Sequence, residues 1–194
     1  MSLESLTNLL KKHSSLFEKE ELEEIESILE KVKERLTESI KLKEKGNKAY
    51  QEKEYLDAID LYTKALKLDP TNEVFYSNRS AAYAKINCEE SGIDDSIKAL
   101  EYNPNFILSY LRLGDFYKKS DPSKALFYYK VGLIFDPKNE KLISKVEQMS
   151  NNNDDFLNSD SAKEVMKSDD FKNMFSKVME DKELMEKLAN LNKK

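Results

Sequence analysis

Pro70, Pro104 and Pro137 close three copies of one pattern at intervals of 34 and 33 residues. A chain that repeats at this period is built from units too small to bury a core alone, so neighbouring units must stack in line. Aligned on the prolines, the units run from Ser39 to Asn72, Glu73 to Phe106 and Ile107 to Asn139. Eighth positions are Gly46, Ser80 and Gly114, and eleventh positions are Ala49, Tyr83 and Tyr117. Further on, Ala58, Gly92 and Ala125 agree, as do Tyr62, Ser96 and Tyr129, then Ala65, Ala99 and Gly132. The third unit is one residue short, in the turn from Lys118 to Pro122, where a loop absorbs a deletion that a helix would not. Stacked repeats of this kind work as binding surfaces.

The units are helical. Only four Gly and four Pro occur in 194 residues, 36% of residues are charged, and no run of alternating β-branched residues is long enough for a strand. Ile107 to Leu113 could be read as β, but the glycine that follows and the repeat register assign it to a helix. The fold class is therefore all-α.

A period of 34, small residues at two fixed sites and a closing proline resemble the tetratricopeptide repeat (TPR), over residues 39–139. The resemblance implies a superhelix of antiparallel helix pairs whose first helices line a concave face. Glu140 to Met149 then reads as the solvating helix after the last repeat, completing a domain over 39–149.

Charge and inventory remove several function classes. A net charge of −5 with a pI near 5.2, and no basic stripe, argues against nucleic acid as a partner. The single cysteine, Cys88, rules out an internal disulfide, and no apolar run approaches a signal core or membrane span, which points to the cytoplasm. Asn78-Arg79-Ser80 matches a glycosylation acceptor only formally, being inside a helix. His13 is the sole histidine, Cys88 has no histidine near it, and there is neither a phosphate loop nor a paired-cysteine metal site. Asp94 and Asp95 form a carboxylate pair that reads as a solvated helix face. No enzyme, cofactor or metal is expected.

The polar residues of the first helices suggest the ligand. Lys43 and Asn47 stand four apart, on one helix face, while Asn78 and Arg112 hold the sixth positions of units two and three. Stacked, they offer two cations and two neutral donors with no negative charge, which suits adjacent carboxylates such as those of a peptide ending in Asp. Local alternatives exist: a solvated Lys43, a capping or inter-helix bond for Asn78, and pairing of Arg112 with Asp115. Residues 43–49, Lys-Glu-Lys-Gly-Asn-Lys-Ala, and 76–85, Tyr-Ser-Asn-Arg-Ser-Ala-Ala-Tyr-Ala-Lys, resemble the dicarboxylate-clamp TPR domains of heat-shock co-chaperones. That resemblance implies a partner, the Glu-Glu-Val-Asp tail of the 70 kDa or 90 kDa chaperone. It also implies roles: Lys43 and Asn47 on the terminal Asp, Asn78 on the main-chain carboxylate, Arg112 closing the far side. Where the family places a fifth residue, a lysine four positions before Arg112, this chain has Leu108. Loss of one charge-assisted hydrogen bond costs about 1.5 to 3 kcal/mol, or a groove of different preference replaces it. The competing reading is a structural scaffold whose groove takes a peptide or helix from a non-chaperone partner.

Residues 1–38 read as a helical extension with Leu22, Ile25, Leu29, Val32 and Leu36 at spacings of three and four, continuous with unit one. A shorter helix around Leu6, Leu9 and Leu10 precedes it, with Ser14 and Ser15 as cap residues. The extension is expected to cap the array, with a homodimer as the sharper alternative. Residues 150–158 read as a linker, and 159–194 as small helices carrying four of the six methionines, suited to a hydrophobic client segment or to packing on the array.

Overall fold

The computed structural model describes residues 3–149. Every regular element among them is helical: α1 (Leu3–Lys12), α2 (Lys19–Gln51), α3 (Tyr55–Leu68), α4 (Glu73–Lys85), α5 (Glu89–Tyr102), α6 (Ile107–Tyr117), α7 (Pro122–Phe135) and α8 (Glu140–Met149). The pairs α2–α3, α4–α5 and α6–α7 are the three repeat units, each helix packing on the next in sequence. The first helices also touch one another, α2 against α4 and α4 against α6, whereas the second helices of successive units lie further apart. This asymmetry curves the stack so that α2, α4 and α6 share the inner face.

The register positions do the packing. A Cβ placed on Gly46 would fall 2.6 Å from the Tyr62 ring, and one on Gly114 would strike the ring of Tyr129. In units one and three, therefore, a bare backbone on the first helix receives a buried tyrosine from the second. Unit two makes the same contact with two small residues: the Ser80 and Ser96 hydroxyls lie 2.7 Å apart, and Ser80 also donates to the carbonyl of Gly92. Between units, Asn72 and Asn139 each hydrogen-bond the aspartate three residues earlier, before the proline, and accept the backbone N–H of Val74 or Leu142. Tyr76 and Tyr110 donate to the carbonyls of Pro70 and Pro104, so the closing prolines anchor the next first helix.

The turns inside the units differ as the deletion requires. Lys53 and Asn87 occupy the same register position with φ of 66° and 57°, the left-handed region. The shorter turn of unit three lacks such a residue; there Asp121 caps α7 by accepting the Lys124 N–H, and Pro122 opens the helix.

Before the repeats, α2 runs without a break across Ser39, the first residue of unit one. Its buried residues are Ser39, Gly46 and Ala49, none before the repeats begin. Its N-cap is Glu18, not Ser14 or Ser15, which form a short 3-10 turn. Glu18 has an extended backbone, its N–H donates to the Glu21 carboxylate at 3.0 Å, and its own side chain accepts from the Glu21 backbone, a reciprocal box. α1 packs on the first half of α2. The expected linker over 150–158 and the methionine-rich helices over 159–194 lie outside the described residues.

Candidate functional site

Asn47, Asn78 and Arg112 come together on the inner face. With Tyr50, Gln51, Tyr62 and Ala81 they line an open pocket of about 250 Å³. Each comes from a different first helix, α2, α4 and α6, so the site exists only because three units stack.

Arg112 carries the electrostatics. Its Nε donates to Ser77 Oγ at 3.0 Å, and among the described residues it forms no ion pair. Burial pulls the guanidinium below its usual pKa, against the electrostatic pull of the Tyr50 phenol group, Asp115 and the Tyr62 phenol group. The nearby Asp115 is engaged elsewhere, by the Tyr129 hydroxyl at 2.7 Å and by Lys145 of α8. A guanidinium kept protonated in such a place, with its terminal nitrogens unbonded among the described residues, is a standing demand for an anion.

Neutral donors stand beside it. Asn47 Oδ1 accepts from the Tyr62 hydroxyl at 2.8 Å and from Asn78 Nδ2 at 3.1 Å. With its oxygen taken twice, Asn47 has only Nδ2 left to offer the pocket. The inter-helix bond of Asn78 and its place in the pocket are thus one arrangement.

Lys43 and Leu108 do not line this pocket. Lys43 lies one turn before Asn47 on α2, half-buried, without a hydrogen bond or ion pair among the described residues. Leu108 lies one turn before Arg112 on α6, 45% exposed. It borders a second hollow of about 400 Å³ with Ile107, Leu111, Lys138 and Lys141.

One residue pair departs from the sequence reading. Asp95 is not on a solvated face: its side chain is 7% exposed, and both oxygens accept from Arg79, at 2.7 and 2.8 Å. Arg79 also donates to Thr63 of α3, so one side chain ties α3, α4 and α5 together. Burial raises the Asp95 carboxyl above its usual value in spite of that pairing. Asp94, next to it, is exposed as expected.

Sequence reasoning missed Ser77 and Tyr62 as parts of the site. Ser77 shares the fifth register position with Lys43, and Tyr62 was visible as a repeat position, though not as a donor into the groove.

Comparison with known proteins agrees with this architecture. Residues 41–72 match the tetratricopeptide repeat. The chain is 39% identical over 108 residues to small glutamine-rich tetratricopeptide repeat-containing protein 2 of Mycosarcoma maydis, covering 55% of this chain and 31% of that relative's length. The Sgt2 TPR domain of Aspergillus fumigatus superposes with a TM-score of 0.55 at 34% identity, over 58% of this chain and 77% of that one. The first TPR of Spaghetti (RPAP3), solved bound to the HSP90 peptide SRMEEVD, gives 0.56 at 30% identity over 59% and 91%. The stacked pairs, the register that packs them and these likenesses converge: the chain belongs to the tetratricopeptide repeat family.

Proposed function

We propose that the inner face holds the acidic C-terminal peptide of a heat-shock chaperone through a carboxylate clamp, making the protein a co-chaperone adaptor. The observation that carries this reading is Arg112, a largely buried guanidinium with no carboxylate partner among the described residues, facing a pocket whose other polar lining, Asn47, Asn78, Gln51, Tyr50 and Tyr62, is uncharged. A free carboxylate is the ligand that repays its desolvation, because charge-assisted hydrogen bonds are the strong ones. Support comes from the likeness to a TPR domain solved with an HSP90 peptide ending in Glu-Glu-Val-Asp. In this reading Asn47 and Asn78 donate to one carboxylate, Arg112 closes over it, and Lys43 approaches from the preceding turn of α2. Leu108, where a further cation would stand, lowers the affinity. The 159–194 segment would supply contact with a hydrophobic client, and the extension over 1–38 would cap the array.

Titration of a labelled Met-Glu-Glu-Val-Asp peptide tests it. Binding should saturate, weaken as ionic strength rises, and fall on Asn47→Ala or on amidation of the peptide's C-terminus. Binding that ignores amidation would sink the clamp and favour the scaffold reading, for which the exposed Leu108 beside Ile107 and Leu111 is the supporting observation.

A further inference from the structure

The pocket's donors are aimed by a residue that offers the ligand no charge. An asparagine amide can turn over, presenting either its oxygen or its nitrogen, and in an anion site only the nitrogen is useful. The Asn47 oxygen also accepts from Asn78, but that amide can itself turn over, so the choice at Asn47 is made from below. Tyr62, 2% exposed and on α3, lies under the groove with its ring against Gly46, where no side chain obstructs it. Its hydroxyl reaches Asn47 Oδ1 at 2.8 Å. A phenol is a sure donor here: burial, with Tyr50 nearby and Arg112 opposing, pushes its pKa up to about 12, so it keeps its proton across the physiological range.

We propose that Tyr62 is a positioning residue of the groove, holding the Asn47 amide with its nitrogen toward the ligand carboxylate; this rests on the carboxylate reading above. The internal repeat supplies an independent precedent within the same chain. In unit three the equivalent glycine, Gly114, admits Tyr129, whose hydroxyl donates to Asp115, the residue in register with Asn47. There the oriented side chain is a carboxylate, and it receives Lys145 of α8. One geometry, a tyrosine passing under a glycine to grip the next residue, thus orients a donor in unit one and an acceptor in unit three. Unit two, with Ser80 and Ser96 at these positions, has no such grip, and the residue in register there is Ala81, which has nothing to orient.

The test uses the full chain as wild type, Tyr62→Phe, Asn47→Ala and the double variant, each titrated with the labelled Met-Glu-Glu-Val-Asp peptide. The side-chain amide signals of Asn47 are followed by NMR in the free proteins. Tyr62→Phe should weaken binding about three- to tenfold in the wild type and less than about twofold in the Asn47→Ala background. It should also shift the Asn47 amide signals with no peptide present. An equal cost in both backgrounds, or unmoved amide signals, overturns the positioning role. If the wild type binds no peptide while the amide signals respond to Tyr62→Phe, the carboxylate reading fails and the orientation stands. In the unsubstituted protein the Tyr62 hydroxyl proton should exchange slowly and show a contact to Asn47; its absence overturns the proposal without any variant.

Discussion

Arg112 illustrates how one residue can be costly to the fold and useful to the proposed site. Among the described residues its guanidinium is drawn out of water with one hydrogen bond, from Nε to Ser77, and no counter-charge in contact. Replacing a buried, uncompensated charge with an apolar side chain of similar volume is commonly neutral or stabilising. Arg112→Met should therefore leave the melting temperature unchanged or raised while weakening peptide binding about ten- to hundredfold, a divergence read by pairing a thermal melt with the titration. Arg79 is the opposite case, since its cation is gripped by Asp95. The sequence could not distinguish the two. Asn78 and Arg112 were legible because they share a register position, but the Arg79–Asp95 pair joins positions that do not correspond, so no periodicity marks it. The direction of the Tyr62 hydroxyl was hidden for a different reason. A repeat position reports that a side chain is packed, not what its polar tip reaches.

At the scale of the helix and turn, the period carried the most information where it is most regular. The aligned positions located the helix pairs because the contact between the two helices recurs there, glycine against tyrosine in units one and three and serine against serine in unit two. The start of α2 escaped because a glutamate, not a serine, provides the cap. The turns hold a further consequence. Lys53 sits at a φ of 66° where Asn87 serves in unit two, and a long side chain in the left-handed region costs about 1 to 2 kcal/mol. Lys53→Gly should raise stability by about 0.5 to 1 kcal/mol once glycine's greater unfolded entropy is subtracted, measured by denaturant unfolding. On α6, Leu108 projects one turn from Arg112 and is partly exposed, so a lysine there meets no steric barrier. Leu108→Lys should tighten the Asp-terminated peptide about ten- to hundredfold and steepen the salt dependence of its dissociation constant.

The whole molecule behaves as a line of neighbours rather than a sphere, so its ends matter as much as its middle. α8 covers the last repeat: Leu142 is fully buried, its methyl 2.7 Å from where a Cβ on Gly132 would stand, in a cluster with Ala125 and Tyr129. Leu142→Ala should cost about 2 to 5 kcal/mol, seen as an earlier melt, although the residue is far in sequence from Asn47 and Asn78. The other end is different in kind. α2 is one helix of 33 residues, with its first half outside the repeats and its last turns inside the pocket. At 1.5 Å per residue it is about 50 Å long, and Lys19 lies about 40 Å along the axis from Asn47. That single rod acts as a ruler. Whatever α1 and the outer half of α2 hold is kept at a set distance and heading from a peptide in the groove, and a twist applied at one end is delivered to the other.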